Sequence, residues 1–132
     1  MSSGKLVVYL ENATGLDDTN WLTDMNPYVV FTCGTEEKKS STASGEGSSP
    51  EWNESFYFTS GSDELHIKLM DENTFQSDDF IGETTISLVE VFNEGEVGST
   101  SYELYKDDEN CGSIRLGLSF TPEERSEYDE DY

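Results

Sequence analysis

The sequence predicts an all-β protein, an eight-stranded antiparallel β-sandwich. Apolar and polar residues alternate over short runs along the chain, and clusters of Gly, Pro, Ser, Asn and Asp separate those runs. The length of 132 residues is that of one domain, and an apolar fraction of 33% is enough for a two-layer core.

The elements follow in order. Lys5 to Glu11 places Leu6, Val8 and Leu10 on one face and Val7 and Tyr9 on the other, the period of a strand. Tyr28 to Cys33 is β-branched and aromatic, a second strand. Gly34 allows a turn into Glu36 to Thr42, a short polar edge strand carrying Lys38 and Lys39. Residues 43–51 are turn chemistry throughout. Phe56 and Phe58 then alternate with Ser55, Tyr57 and Thr59, and Gly61-Ser62 turns the chain into Glu64 to Met70, where Leu65, Ile67 and Leu69 share a face opposite His66. Ile81 to Leu88 is the next strand, Val89 to Asn93 one helical turn, and residues 95–98 a glycine-rich connection. Tyr102 to Tyr105 and Gly112 to Phe120 complete the eight, the last with Ile114, Leu116, Leu118 and Phe120 inward.

Charge bounds the function classes. Seven basic residues against 29 acidic ones give a formal net charge of −22. Such a surface repels nucleic-acid phosphates and attracts cations and basic proteins, so nucleic-acid binding is excluded as a main activity. The same charge also serves simply to keep a small β protein soluble. No apolar run approaches the span of a bilayer, and Met-Ser-Ser-Gly-Lys leads straight into a strand, so a cytoplasmic, at most peripherally membrane-bound, protein is expected. Cys33 and Cys111 lack metal-ligand spacing; free thiols are expected in a reducing compartment, and the sequence leaves a disulfide open. The glycosylation sequons at Asn12 and Asn53 matter only in a secreted chain.

Two loops concentrate the chemistry. Gly15 to Val30 holds a polar loop with an apolar tip at Trp21 and Leu22, and Asp71 to Gly82 joins oxygen-bearing side chains to an aromatic residue, Phe75. With Gly15-Leu16, Asn26-Pro27-Tyr28-Val29 and Pro50-Glu51-Trp52-Asn53-Glu54-Ser55-Phe56-Tyr57-Phe58, they stand in the order and spacing of a C2 domain, the calcium- and phospholipid-binding β-sandwich. The resemblance runs from about Lys5 to Pro122 and is closest to small single-domain plant elicitor-responsive and phloem C2 proteins. It implies a C2-like domain over 1–122 with three clustered loops at one end, followed by an acidic tail, 123–132, expected to be disordered in isolation. Because a strand like Gly112 to Phe120 comes last rather than first, the resemblance implies the phospholipase-type (type II) topology.

The resemblance also implies a site. In the family five aspartates surround calcium; here those positions fall on Asn20, Asn26, Asp71, Asn73 and Asp79. Hard divalent cations need six to eight oxygens and compensating charge. Each carboxylate replaced by an amide costs roughly 1–3 kcal/mol at an effective dielectric of about 20, so three replacements weaken binding by a factor on the order of 10² or more. Asp18, Asp24 and Asp78 are auxiliary candidates, with Asp17 beside them; these acids and amides could equally cap turns, except that at Asp71 and Asp79 the family position favours ligation. Trp21, Leu22 and Phe75 would be the membrane-contact residues, although a Trp on a long loop can also fold back over the sandwich. Lys38, Lys39 and Lys68, at about 1 kcal/mol each near an anionic surface, do not by themselves overcome the surrounding acidity.

With one histidine, no nucleophile elbow and no phosphate-binding glycine loop, the residues point away from catalysis. Two readings are expected to compete. One is a module that binds phospholipid membranes with calcium assisting at a partly degraded site; the other is a calcium-independent adaptor or structural subunit holding a basic protein.

Overall fold

Alternation in the sequence becomes alternation of burial. The segment Glu64–Asp71 buries Leu65, Ile67, Leu69 and Asp71 and turns His66 and Lys68 outward, so burial of one row of side chains offsets the cost of ordering the strand's backbone. The structure is a computed structural model that describes residues 4–17, 24–59 and 61–123. Its elements are β1 (Gly4–Thr14), β2 (Pro27–Cys33), β3 (Glu36–Lys39), β4 (Glu51–Phe58), β5 (Glu64–Asp71), β6 (Asp79–Ser87), α1 (Val89–Glu94), β7 (Glu96–Lys106) and β8 (Glu109–Pro122).

Every strand pairing among the described residues is antiparallel, in the order β3-β2-β5-β6-β7-β8-β1-β4. The ladder is thinnest between β6 and β7, where Glu83 and Tyr105 are the one registered pair among the described residues. That joint divides the ladder into two four-stranded layers whose apolar rows meet. Phe31 of β2 and Phe56 of β4 lie near opposite ends of the order, yet their ring centroids are 5.1 Å apart. Phe31 and Phe58 are fully buried, each contributing about 1.5–3 kcal/mol relative to exposure. The last strand pairs with the first, matching Leu6 to Phe120, Val8 to Leu118 and Leu10 to Leu116, as the type II topology requires.

The short helix closes one end. Phe92 meets Phe120 edge-on at 4.7 Å, and Gly95 ends the helix in the left-handed region at φ 86°, its N–H returning to the Val91 carbonyl at 2.8 Å.

β1 and β8 each extend beyond the expected residues at both ends and β6 starts two residues early, and three further boundaries differ for identifiable reasons. β3 stops at Lys39, because Ser40 turns inward, its hydroxyl accepting from Val29 N–H at 2.8 Å. β4 begins at Glu51 rather than near Phe56: Trp52 is buried and its indole N–H donates to the Ser41 carbonyl at 3.0 Å, so the tryptophan holds the β3–β4 loop against the strand. β7 is far longer than Tyr102 to Tyr105 and absorbs the glycine-rich segment, because a bulge between Val97 and Thr100 accommodates Gly98 and Ser99 within the ladder. Cys33 and Cys111 are both buried and are not joined in a disulfide; burial raises the pKa of Cys111, whose Sγ–H donates to the Ile81 carbonyl at 3.3 Å.

Candidate functional site

At one end of the sandwich the exits of β1, β3 and β5 lie together, tied by hydrogen bonds between residues remote in sequence. Leu16 N–H donates to Ser48 O at 3.2 Å, Ala43 N–H to Pro27 O at 2.8 Å, and Glu72 N–H to Asn26 O at 2.9 Å. These backbone bonds join three loops, which we call the first (between β1 and β2), second (β3 and β4) and third (β5 and β6).

Asp71 and Asp79 are register partners across β5 and β6, which sets two carboxylate-bearing residues directly opposite each other. Like charges so placed repel unless donors or a cation intervene. The chain supplies donors. Asp71, only 2% exposed, accepts from the Asn26 backbone N–H at 2.8 Å. Asp79 accepts from the Asn73 side-chain amide at 3.1 Å, and that amide also donates to the Ser77 carbonyl at 2.8 Å. The Asn26 side chain turns toward the second loop, its oxygen accepting from Gly45 N–H at 2.7 Å and its amide donating to Glu72 O at 3.5 Å. The Thr42 hydroxyl adds a further link, donating to the Glu72 carboxylate at 2.6 Å.

Asp78 has partners of its own. Its carboxylate accepts from Asn73 N–H at 2.9 Å and from the Tyr28 hydroxyl at 2.5 Å, so both oxygens are engaged. The Asn73 backbone bond, followed by the Tyr28 hydroxyl, lowers the Asp78 pKa. Burial, reinforced by Asp78, raises that of Tyr28 to about 12. Lys39 lies 4.2 Å over the Tyr28 ring and Lys68 5.8 Å from the Phe80 ring, while Lys38 is exposed on β3. Asp24 is exposed and faces Gly47 of the second loop.

Between the first and third loops lies an open depression of about 390 Å³, lined by Asn26, Glu72, Asn73, Thr74, Phe75 and Gln76. Phe75 stands at its rim 98% exposed. The structure therefore brings Asn26, Asp71, Asn73, Asp79 and Phe75 to one place. Asp18, Asn20, Trp21 and Leu22 lie outside the described residues. Tyr28, Thr42 and Gly45 also belong to this end, and nothing in the sequence links them to their partners, because those contacts span 50, 30 and 19 positions.

Among the described residues no group of three or more His, Cys, Asp or Glu stands together to hold a metal. The donor set at Asp71 and Asp79 is all oxygen once the Asn73 amide N–H is withdrawn, and oxygen ligands suit calcium. The two carboxylates are of the ligand type calcium takes, whereas the Asn26 oxygen is engaged by Gly45 N–H and the Asn73 amide turns its N–H to Asp79, so both amides would have to be redirected to ligate such an ion. Among the described residues no helix is long and apolar enough to cross a membrane.

The C2 domain family model matches residues 4–104. Elicitor-responsive protein 3 of Oryza sativa subsp. japonica is 49% identical over 126 residues, covering 94% of this chain and 88% of that protein. Among solved structures, a C2 domain-containing protein from a putative elicitor-responsive gene superposes with a TM-score of 0.82 at 44% identity, covering 96% of this chain and 94% of its own. The calcium-bound tandem C2 domains of extended synaptotagmin 2 superpose with a TM-score of 0.77 at 26% identity, covering 92% of this chain and 47% of theirs.

Proposed function

The chain belongs to the C2 domain family, and from that membership we propose that it is a non-catalytic binding module that docks peripherally on phospholipid membranes through its loop end, with calcium assisting at low affinity. The observation that carries this reading is Phe75, an almost fully exposed aromatic ring at the rim of a depression beside the paired Asp71 and Asp79. An apolar ring beside paired carboxylates suits a surface that is apolar inside and phosphate-bearing outside. Calcium would be held by Asp71 and Asp79 with the amide oxygens of Asn26 and Asn73, and Asn20 from outside the described residues. It would supply the positive charge that a −22 chain lacks against an anionic leaflet. The calcium-bound extended synaptotagmin 2 domains share this fold at 26% identity, which supports calcium as the ion this chain would take.

Sedimentation with vesicles of phosphatidylcholine and phosphatidylserine, in calcium and in chelator, tests the reading. Phe75→Ala should weaken vesicle binding roughly tenfold or more, the loss of one buried aromatic ring. Asn73→Asp should strengthen the calcium dependence, because it restores a full charge where a dipole now stands. Vesicle binding that Phe75→Ala leaves unchanged would overturn the proposal.

A second reading has its own observation: Asn26 and Asn73 already donate to Asp71 and Asp79, in the place of a compensating cation. The module would then act without calcium, as an adaptor for a basic protein. Equal vesicle or partner binding in calcium and in chelator would favour it.

A further inference from the structure

On the outer face of the β7-β8-β1 layer, lined by none of the loop-end residues, the bulge in β7 opens a groove of about 200 Å³. Gly98 and Ser99 stand opposite the single residue Gly117, since Val97 pairs with Leu118 and Thr100 with Leu116. Gly117 carries no side chain to fill the space that the bulge creates. A β-carbon added there would sit 3.6 Å from Ser99 N, 3.7 Å from Val97 O and 3.8 Å from Ser99 Oγ, ordinary contacts on an unstrained backbone. Steric necessity therefore does not dictate glycine at this position. Val7 and Tyr9 line the other side, with Tyr9 40% exposed and its hydroxyl donating to Asn53 Oδ1 at 3.3 Å. Among the described residues Glu96 is the one charged side chain lining the groove. On the same layer, Arg115 lies 3.5 Å from Glu11 and Lys5 lies over Tyr57 at 4.6 Å, so these cations have partners of their own.

We propose that this groove receives an arginine side chain presented by a basic protein segment. Three features select that chemistry. The Tyr9 ring offers an aromatic wall on which a guanidinium stacks. The Glu96 carboxylate and the Ser99 hydroxyl offer acceptors for its fork of donors, and an anionic acceptor makes the stronger hydrogen bond. The net charge of −22 draws basic segments to the surface, while the groove gives one of their side chains a fixed seat. A lysine satisfies the field equally but lacks the planar group that fits a tyrosine wall. The site is separate from the loop end, and its success or failure is independent of membrane docking.

The test uses the full chain, isotope-labelled for NMR, titrated with the capped peptide Gly-Lys-Gly-Arg-Gly-Lys-Gly and with the same peptide carrying citrulline in place of arginine. Amide shifts should concentrate at Val7, Tyr9, Glu96, Ser99 and Gly117, and the citrulline peptide should bind roughly tenfold more weakly. Gly117→Val fills the groove and should abolish these local shifts while the far-ultraviolet circular dichroism stays unchanged. Glu96→Gln and Tyr9→Leu, each leaving the backbone as it is, should weaken the arginine peptide and leave the citrulline peptide little affected. They keep the inference testable if Gly117→Val fails to fold. Shifts spread over the acidic surface, equal binding of the two peptides, or binding indifferent to Glu96→Gln and Tyr9→Leu would each overturn it.

Discussion

Tyr28 and Asp78 are separated by 50 positions and joined by one short hydrogen bond between β2 and the third loop. The bond works because each partner is placed to favour one protonation state. Burial is the larger cause of the raised Tyr28 pKa, and the Asp78 carboxylate adds to it. Asp78→Ala should therefore lower the Tyr28 pKa from about 12 toward its ordinary 10.0 without reaching it, followed through the Tyr28 ring resonances by NMR. The stability effects have opposite signs at the two ends of the pH scale. Tyr28 titrates higher folded than unfolded, so its contribution is complete below pH 10.0 and is lost as pH rises toward about 12. Asp78 titrates lower folded than unfolded, so its contribution is present above the ordinary 3.8 and is lost as pH falls through the lowered value. Thermal melts of the Asp78→Ala variant should show a weaker dependence on pH in both windows than the parent chain. An unchanged Tyr28 titration would mean that burial alone sets its value.

Strand by strand, hydrophobic alternation was the readable signal, and it located strands such as β1, β5 and β8 because each buries one row of side chains. It failed at ends, where hydrogen bonds to remote residues decide. Trp52 extends β4 through its bond to Ser41, and the bulge at Gly98 and Ser99 keeps β7 in register across residues that read as a connection. The helix α1 is held by its cap and by Phe92 rather than by its six residues of helix propensity, since so short a helix is marginal alone. Gly95→Ala should cost about 1–2 kcal/mol, the penalty for a β-carbon in the left-handed region, measured by urea denaturation. A loss well below that range would show that the helix end relaxes into another conformation.

Across the whole molecule, 29 acidic residues against seven basic ones make self-repulsion the leading electrostatic term at low salt. Among the described residues Arg115 pairs with Glu11 at 3.5 Å, and His66 lies 2.8 Å from Glu83, a salt bridge only when its ring is protonated; both are at the surface, where such pairs contribute about 0–1 kcal/mol. The thermal midpoint should therefore rise as sodium chloride screens the chain, most steeply below about 0.1 M, where the Debye length exceeds about 10 Å. A midpoint that falls with added salt would mean that attractive pairs outweigh the repulsion.

The sequence by itself determined the all-β class, the antiparallel strands, the order of the loops and the family, because a period of two and spaced turn motifs are local patterns written along the chain. It also placed Asn26, Asp71, Asn73, Asp79 and Phe75 in two loops. Only the tertiary structure decided what those side chains do with one another. Asp71 and Asp79 oppose each other across paired strands, Asn26 and Asn73 direct donors to them, and Tyr28 donates to Asp78. The direction of a side-chain oxygen depends on partners brought in from other loops, and no local pattern carries that information.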